Sequence, residues 1–129
     1  MLGGAALIVP GSALAAKRFD PLTSPLAGSV YYTKKRPGRW AQYAAAHLPV
    51  FERKGNALQV KTPHHMRGYA HYIVKHMLFD ENFRLLGEKT FEPGKDWPVS
   101  IYDVTGMKGA LYAMSVCNLH DSWLAGFRL

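Results

Sequence analysis

Only one cysteine, Cys117, occurs in the 129 residues of this chain. That excludes an intramolecular disulfide and any four-cysteine zinc or iron site within one chain. Cys117 is left as a buried bystander, a nucleophile or a metal ligand, and its neighbours must decide. Acidic residues are also scarce, 9 against 16 Lys and Arg, giving a formal charge of +7 that attracts anions of any kind. The basic residues neither follow a helix nor interleave with aromatics, so no nucleic-acid partner is expected. Their densest run, Lys34-Lys35-Arg36 to Arg39, surrounds Pro37 and Gly38 and reads as a solvated loop. No apolar stretch reaches the ~20 residues of a transmembrane helix. Internal repeats and low-complexity segments are missing as well.

What is present has the composition of one globular domain: 48% hydrophobic and 19% charged residues are enough to build a core. Residues 1–16 carry no charge and pass from an apolar stretch into Ala13-Leu14-Ala15, the small-x-small pattern cut by signal peptidase. They are read as an export signal whose basic head is missing, which leaves residues 17–129 as a single domain in the periplasm or otherwise exported. If residues 1–16 instead form an apolar element of the fold, the protein is cytoplasmic. Pro21, Pro25, Gly28, Pro37 and Gly38 predict loops over residues 17–45, with a short helix over residues 41–46. Beyond His47 the text is strand-like, with alternating or β-rich segments at residues 57–61, 71–78, 84–91, 99–104 and 110–117. Turn residues separate them every 8 to 12 positions, the pattern of an all-β sandwich.

Six histidines accompany the cysteine: His47, His64, His65, His71, His76 and His120. Cys117 and His120 stand as Cys-Asn-Leu-His after the apolar segment Leu111-Tyr-Ala-Met-Ser-Val116. A tight turn at that spacing lets both side chains meet one ion, while backbone N–H groups of Leu119 and His120 point at the sulfur. Alone, this pattern equally fits a buried cysteine beside a surface histidine. His65 and His71 lie six apart around Gly68, in a loop able to turn both rings toward one centre. His47 precedes Leu48-Pro49-Val50 at the mouth of a strand. Nothing positions His64 or His76, and both are read as surface or supporting groups.

Taken together, His47-Leu-Pro-Val, His65, His71-Tyr-Ile and the run from Gly109 through Cys117-Asn-Leu-His-Asp-Ser-Trp123 resemble the superoxide reductases of the neelaredoxin and desulfoferrodoxin family. The resemblance extends over roughly residues 45–129. It implies an immunoglobulin-like β-sandwich of about seven strands and one mononuclear iron. It implies His47, His65, His71 and His120 as equatorial ligands and Cys117 as the axial thiolate. The expected reaction is one-electron reduction of superoxide to hydrogen peroxide, with an external donor, rubredoxin-like or another redox protein, and a homo-oligomeric assembly (dimer or tetramer). With one cysteine, the chain resembles the single-iron kind that lacks a four-cysteine module.

Two positions depart from the family pattern. Ala45-Ala46 occupy the place of a Glu-Lys pair whose lysine attracts superoxide, and Arg67 is the candidate substitute cation. Asp121 stands where glycine often follows the knuckle histidine. The rival readings are a copper electron carrier using His71, Cys117 and His120, for which the last methionine, Met114, is misplaced upstream, and a sandwich module without catalysis. A Cys117 nucleophile activated by His120 is disfavoured by the geometry of so short a turn.

Overall fold

The computed structural model describes residues 19–129; the expected export signal at residues 1–16 lies outside them. Among the described residues, seven strands form two antiparallel sheets. One sheet has the order β1-β2-β5, from Val50–Lys54 (β1), Ala57–Lys61 (β2) and Val99–Asp103 (β5). The other has the order β4-β3-β6-β7, from Leu85–Thr90 (β4), Ile73–Phe79 (β3), Ala110–Cys117 (β6) and Asp121–Arg128 (β7). The all-β expectation holds, and β1 and β7 extend the strands read from periodicity. The short helix is also present, as a 3-10 segment Gly38–Tyr43 running into a single turn, α1 (Ala44–His47). No helix among the described residues is long and apolar enough to cross a membrane.

Alternation along β6 explains how the sheets face each other. Leu111, Ala113, Ser115 and Cys117 point inward, and the residues between them are half-buried on the opposite face. Across the sandwich, Leu58 and Val60 of β2 meet Leu78, Val104, Leu111 and Ala113 in the main apolar core. Each fully buried Leu or Val there contributes roughly 1.5–3 kcal/mol, so this end of the sandwich supplies most of the drive to fold. The β1–β2 hairpin is closed by Gly55-Asn56, with Gly55 at φ 60°, a left-handed value that suits glycine at the first position of a two-residue turn. On the outer side, Tyr32 lies 2% exposed against the Trp123 ring and exchanges backbone bonds with Ser122 and Leu124, covering the free edge of β7.

Toward the other end the interior turns polar. A register shift between Ile73 and Lys75, where β3 meets β6, lets both Ile73 and His76 face inward despite their odd separation. His76 is therefore no surface group: it is fully buried, with Nδ1 2.8 Å from Ser100 Oγ and Nε2 2.7 Å from Thr62 Oγ1. Burial pushes its pKa down to about 4, assisted by the charge of Lys89.

In the unfolded chain His76 binds a proton near pH 6.5, whereas the fold resists protonation until about pH 4. Stability contributed by neutral His76 is present above pH 6.5 and is lost as pH falls through this window, by about 3 kcal/mol in all. Denaturant titrations of the metal-free protein at pH 7.5, 6 and 4.5 should show a shallower fall for His76→Leu than for the wild type. An equal slope would show that His76 does not carry this dependence.

Candidate metal centre

Where the apolar core ends, the loops leaving α1, β2 and β6 converge. His47 closes α1, 2% exposed, and its Nδ1 donates to the Tyr43 carbonyl at 2.8 Å. His64 Nδ1 donates to the His65 carbonyl at 2.6 Å. A carbonyl only accepts, so both neutral rings carry their proton on Nδ1 and present the Nε2 lone pair. Burial holds the His47 pKa down at about 4, with the neighbouring imidazoles reinforcing it against the Tyr43 hydrogen bond. His64 and His120 are likewise shifted downward, first by burial and then by adjacent histidines. Burial pushes the Cys117 thiol up, while the N–H groups of Leu119 and His120 pull the other way, as their place after the cysteine suggested.

The ring nitrogens then meet in a chain. His64 Nε2 lies 3.0 Å from His71 Nε2, which lies 3.1 Å from His120 Nδ1, which in turn lies 3.2 Å from His47 Nε2. Cys117 Sγ sits 3.8 Å from His120 Nδ1, and the donor atoms of His47, His64, His71 and Cys117 all lie within 4.8 Å of one another. A ring nitrogen offers one lone pair or one N–H along a single direction. His71 Nε2 faces two nitrogens, and His120 Nδ1 faces two nitrogens and a sulfur, so shared protons cannot satisfy the set. A cation among the lone pairs does. Donor chemistry and spacing fit a metal ion held by a histidine–cysteine group.

His47, His71, Cys117 and His120 are thus brought together as the sequence suggested; His64 stands beside them, and His65 is exposed. The reason is strand parity. Leu58 and Val60 face inward on β2, and burial continues to alternate past its end: Thr62 in, Pro63 out, His64 partly in, His65 out, Met66 in. Met66 anchors the far side, 6% exposed, with its sulfur accepting the Ile73 N–H. Spacing to His71 favoured His65, whereas the parity of Leu58 and Val60 points to His64. Arg67 is exposed and lines a groove with His65, Lys95, Asp96 and Trp97.

Supporting contacts fix the loops. Asn118, quoted in the knuckle but given no role there, accepts the Tyr72 N–H at 2.9 Å and donates to the carbonyls of Tyr69 and Ala70 at 3.1 Å each, clamping the loop that carries His71. Its spacing carries no signal for this, because the bonds cross 46 to 49 residues. The His120 ring stacks on Tyr43 and meets the edge of Trp40, and its carbonyl accepts Trp123 Nε1–H at 2.9 Å. Asp121 adopts φ 61°, the left-handed conformation that glycine takes most readily and Asp tolerates. Its carboxylate accepts from Trp40 Nε1 (2.9 Å) and Arg39 Nη2 (2.7 Å), which hold it below the usual carboxylate range. Arg39 therefore ties the basic loop to the knuckle, while Lys34, Lys35 and Arg36 are solvent-exposed as expected.

No protein-family model matches the chain, and a search of curated proteins finds no match. Solved structures do match. A variant of the superoxide reductase (neelaredoxin) of Ignicoccus hospitalis is 31% identical, covering 79% of this chain and 94% of its own, with a TM-score of 0.68. The superoxide reductase (1Fe-SOR) of Giardia intestinalis is 27% identical over 65% of this chain and 98% of its own, TM-score 0.55. That of Treponema pallidum is also 27% identical, over 65% of this chain and 68% of its own, TM-score 0.55. With a sandwich of this form, a histidine–cysteine cluster at its end and nearly the full length of the Ignicoccus chain matched, the protein belongs to the superoxide reductase family of oxidoreductases.

Proposed function

We propose that the chain holds one iron through Nε2 of His47, His64 and His71, Nδ1 of His120 and Sγ of Cys117, and reduces superoxide to hydrogen peroxide. The observation that carries the reading is the chain of four ring nitrogens, successive ones 3.0 to 3.2 Å apart, beside a cysteine sulfur, with no arrangement of shared protons that satisfies all three contacts. When bound, an iron would supply the one electron that, with two protons, converts superoxide to hydrogen peroxide.

The chain's own residues do the rest. Carbonyls of Tyr43 and His65 hold two imidazoles in the tautomer that offers Nε2. N–H groups of Leu119 and His120 stabilise negative charge on the Cys117 sulfur. Five protein donors exceed the four of a structural zinc site. A copper carrier is less well served: Met114 lies on the face of β6 opposite Cys117, and four imidazoles surround the centre instead of two. The +7 charge favours encounter with an anionic substrate. Ala45 and Ala46 supply neither a carboxylate nor an ammonium beside His47, so Arg67 is proposed as the local cation. An external one-electron donor, rubredoxin-like or another redox protein, completes the cycle in an exported, homo-oligomeric protein.

Four substitutions test this reading. Cys117→Ser should fold with an unchanged far-ultraviolet spectrum but lose the thiolate-to-iron charge-transfer absorption of the oxidised protein; retention of that band rules out the axial assignment. His64→Ala should lower iron content after loading at least severalfold while His65→Ala stays near one iron per chain, and the reverse order would restore His65 to the centre. Arg67→Ala should slow the stopped-flow reaction with superoxide two- to threefold at low salt with iron retained, an effect that shrinks as ionic strength rises. Equal rates would remove Arg67 from the mechanism.

A further inference from the structure

Two inward rows run side by side from the apolar core to the metal centre. On β2 and its continuation the row reads Leu58, Val60, Thr62, His64; on β6 it reads Leu111, Ala113, Ser115, Cys117. Leucine, valine and alanine make the first two layers, and the last layer carries two donor side chains of the centre. The layer between is hydroxylic: Thr62 Oγ1 lies 2.8 Å from Ser115 Oγ. Thr62 also bonds His76 Nε2 at 2.7 Å, and His76 Nδ1 bonds Ser100 Oγ at 2.8 Å, so the four residues form one chain of hydrogen bonds from β6 to β5. All four are buried, at 2% exposure or less.

Such a layer is costly to bury, because three hydroxyls and an imidazole leave water for bonds that return little net stability. Apolar side chains would close the sandwich with less penalty, yet they tolerate sliding. Hydrogen bonds do not: each fixes a length and a direction. The layer also occurs where the backbone stops providing register. β2 ends at Lys61, and the only backbone bond of Thr62 to the neighbouring sheet segment is its N–H to the Pro98 carbonyl, 3.0 Å. Nothing in the ladder of sheet β1-β2-β5 reaches His64. On the other side Ser115 stands opposite His76 in the β3–β6 register, held rigidly by both neighbouring strands.

We infer that Thr62, Ser115, His76 and Ser100 form a positioning layer that sets the distance and angle between the His64 imidazole and the Cys117 sulfur. Thr62 and Ser115 each lie two residues before a donor of the centre, so their bond transmits the rigid frame of β6 to a loop that has left its sheet. They act through His64 and Cys117 and do not touch the reacting atoms. The inference rests on the five-donor centre proposed above and names what tunes it.

Thr62→Val removes the hydroxyl at nearly constant volume, Ser115→Ala breaks the same bond from the opposite side, and Thr62→Ser keeps it. Val60→Ala, one layer toward the core, serves as a control that loses stability without touching the layer. Each protein is loaded with iron and, separately, with Co2+; the readouts are Co2+ affinity by chelator competition and the position of the sulfur-to-metal charge-transfer band. Thr62→Val and Ser115→Ala should bind Co2+ at least fivefold more weakly and shift the band, with Thr62→Ser within twofold of wild type and Val60→Ala unmoved in band position. If Thr62→Val does not fold, Ser115→Ala decides by the same criterion. A band unmoved in the hydroxyl variants, or moved equally by Val60→Ala, overturns the positioning layer and leaves the metal centre standing. A wild-type protein with no sulfur-to-metal band at all overturns the centre, and the layer with it.

Discussion

Five donor atoms share a volume in which they cannot satisfy each other. Four imidazole nitrogens stand in a chain, successive ones 3.0 to 3.2 Å apart, with a thiol sulfur beside them, and two of the rings already spend their N–H on backbone carbonyls. Lone pairs pressed together in a half-buried site repel, and a buried polar group without a partner costs on the order of 1–3 kcal/mol. A cation removes both penalties together. The same environment that disfavours protons at His47 keeps its lone pair available for a metal at neutral pH.

Holding that arrangement requires stiffness that short loops do not possess by themselves, and the molecule supplies it from several directions. Asn118 ties the knuckle to the loop carrying His71 through four backbone and side-chain bonds. Trp123, Tyr43 and Trp40 enclose His120 from its backbone and from two sides of its ring. The hydroxyl layer stands behind His64 and Cys117. The stability for all of this comes from the apolar end of the sandwich, where Leu58, Val60, Leu78 and Leu111 are fully buried. Division of labour between an apolar end that folds and a polar end that positions follows from one periodicity, the two-residue repeat of β2 and β6.

Asp121 illustrates how a departure from a family pattern can be absorbed. The backbone there needs a left-handed conformation, which costs most L-residues about 1 kcal/mol or more. Aspartate tolerates it better than most, and its carboxylate gains partners in Trp40 and Arg39 that glycine could not engage. An exposed ion pair alone is worth little; here the indole hydrogen bond and the cation above the Trp40 ring make it part of the wall beside His120. The Ala45-Ala46 departure has no such compensation in its own helix turn, which carries no acidic residue.

By itself the sequence determined the fold class and most of the centre. Alternation and turn residues suffice for strands because a half-buried strand must present every second side chain to the core; Cys117 and His120 were legible as a pair because their spacing suits a tight turn, and His47 and His71 joined them through the family resemblance. Tertiary structure set His64, and not His65, beside the other three histidines. Adjacent residues on an extended chain face opposite ways, and which face is inward depends on where the second sheet lies. It likewise decided the partners of Asn118, the burial of His76 through a bulge in β3, and the hydroxyl layer. Those bonds join residues 14 to 53 positions apart, across strands and sheets, and no local pattern in the text encodes a contact formed only when two sheets close.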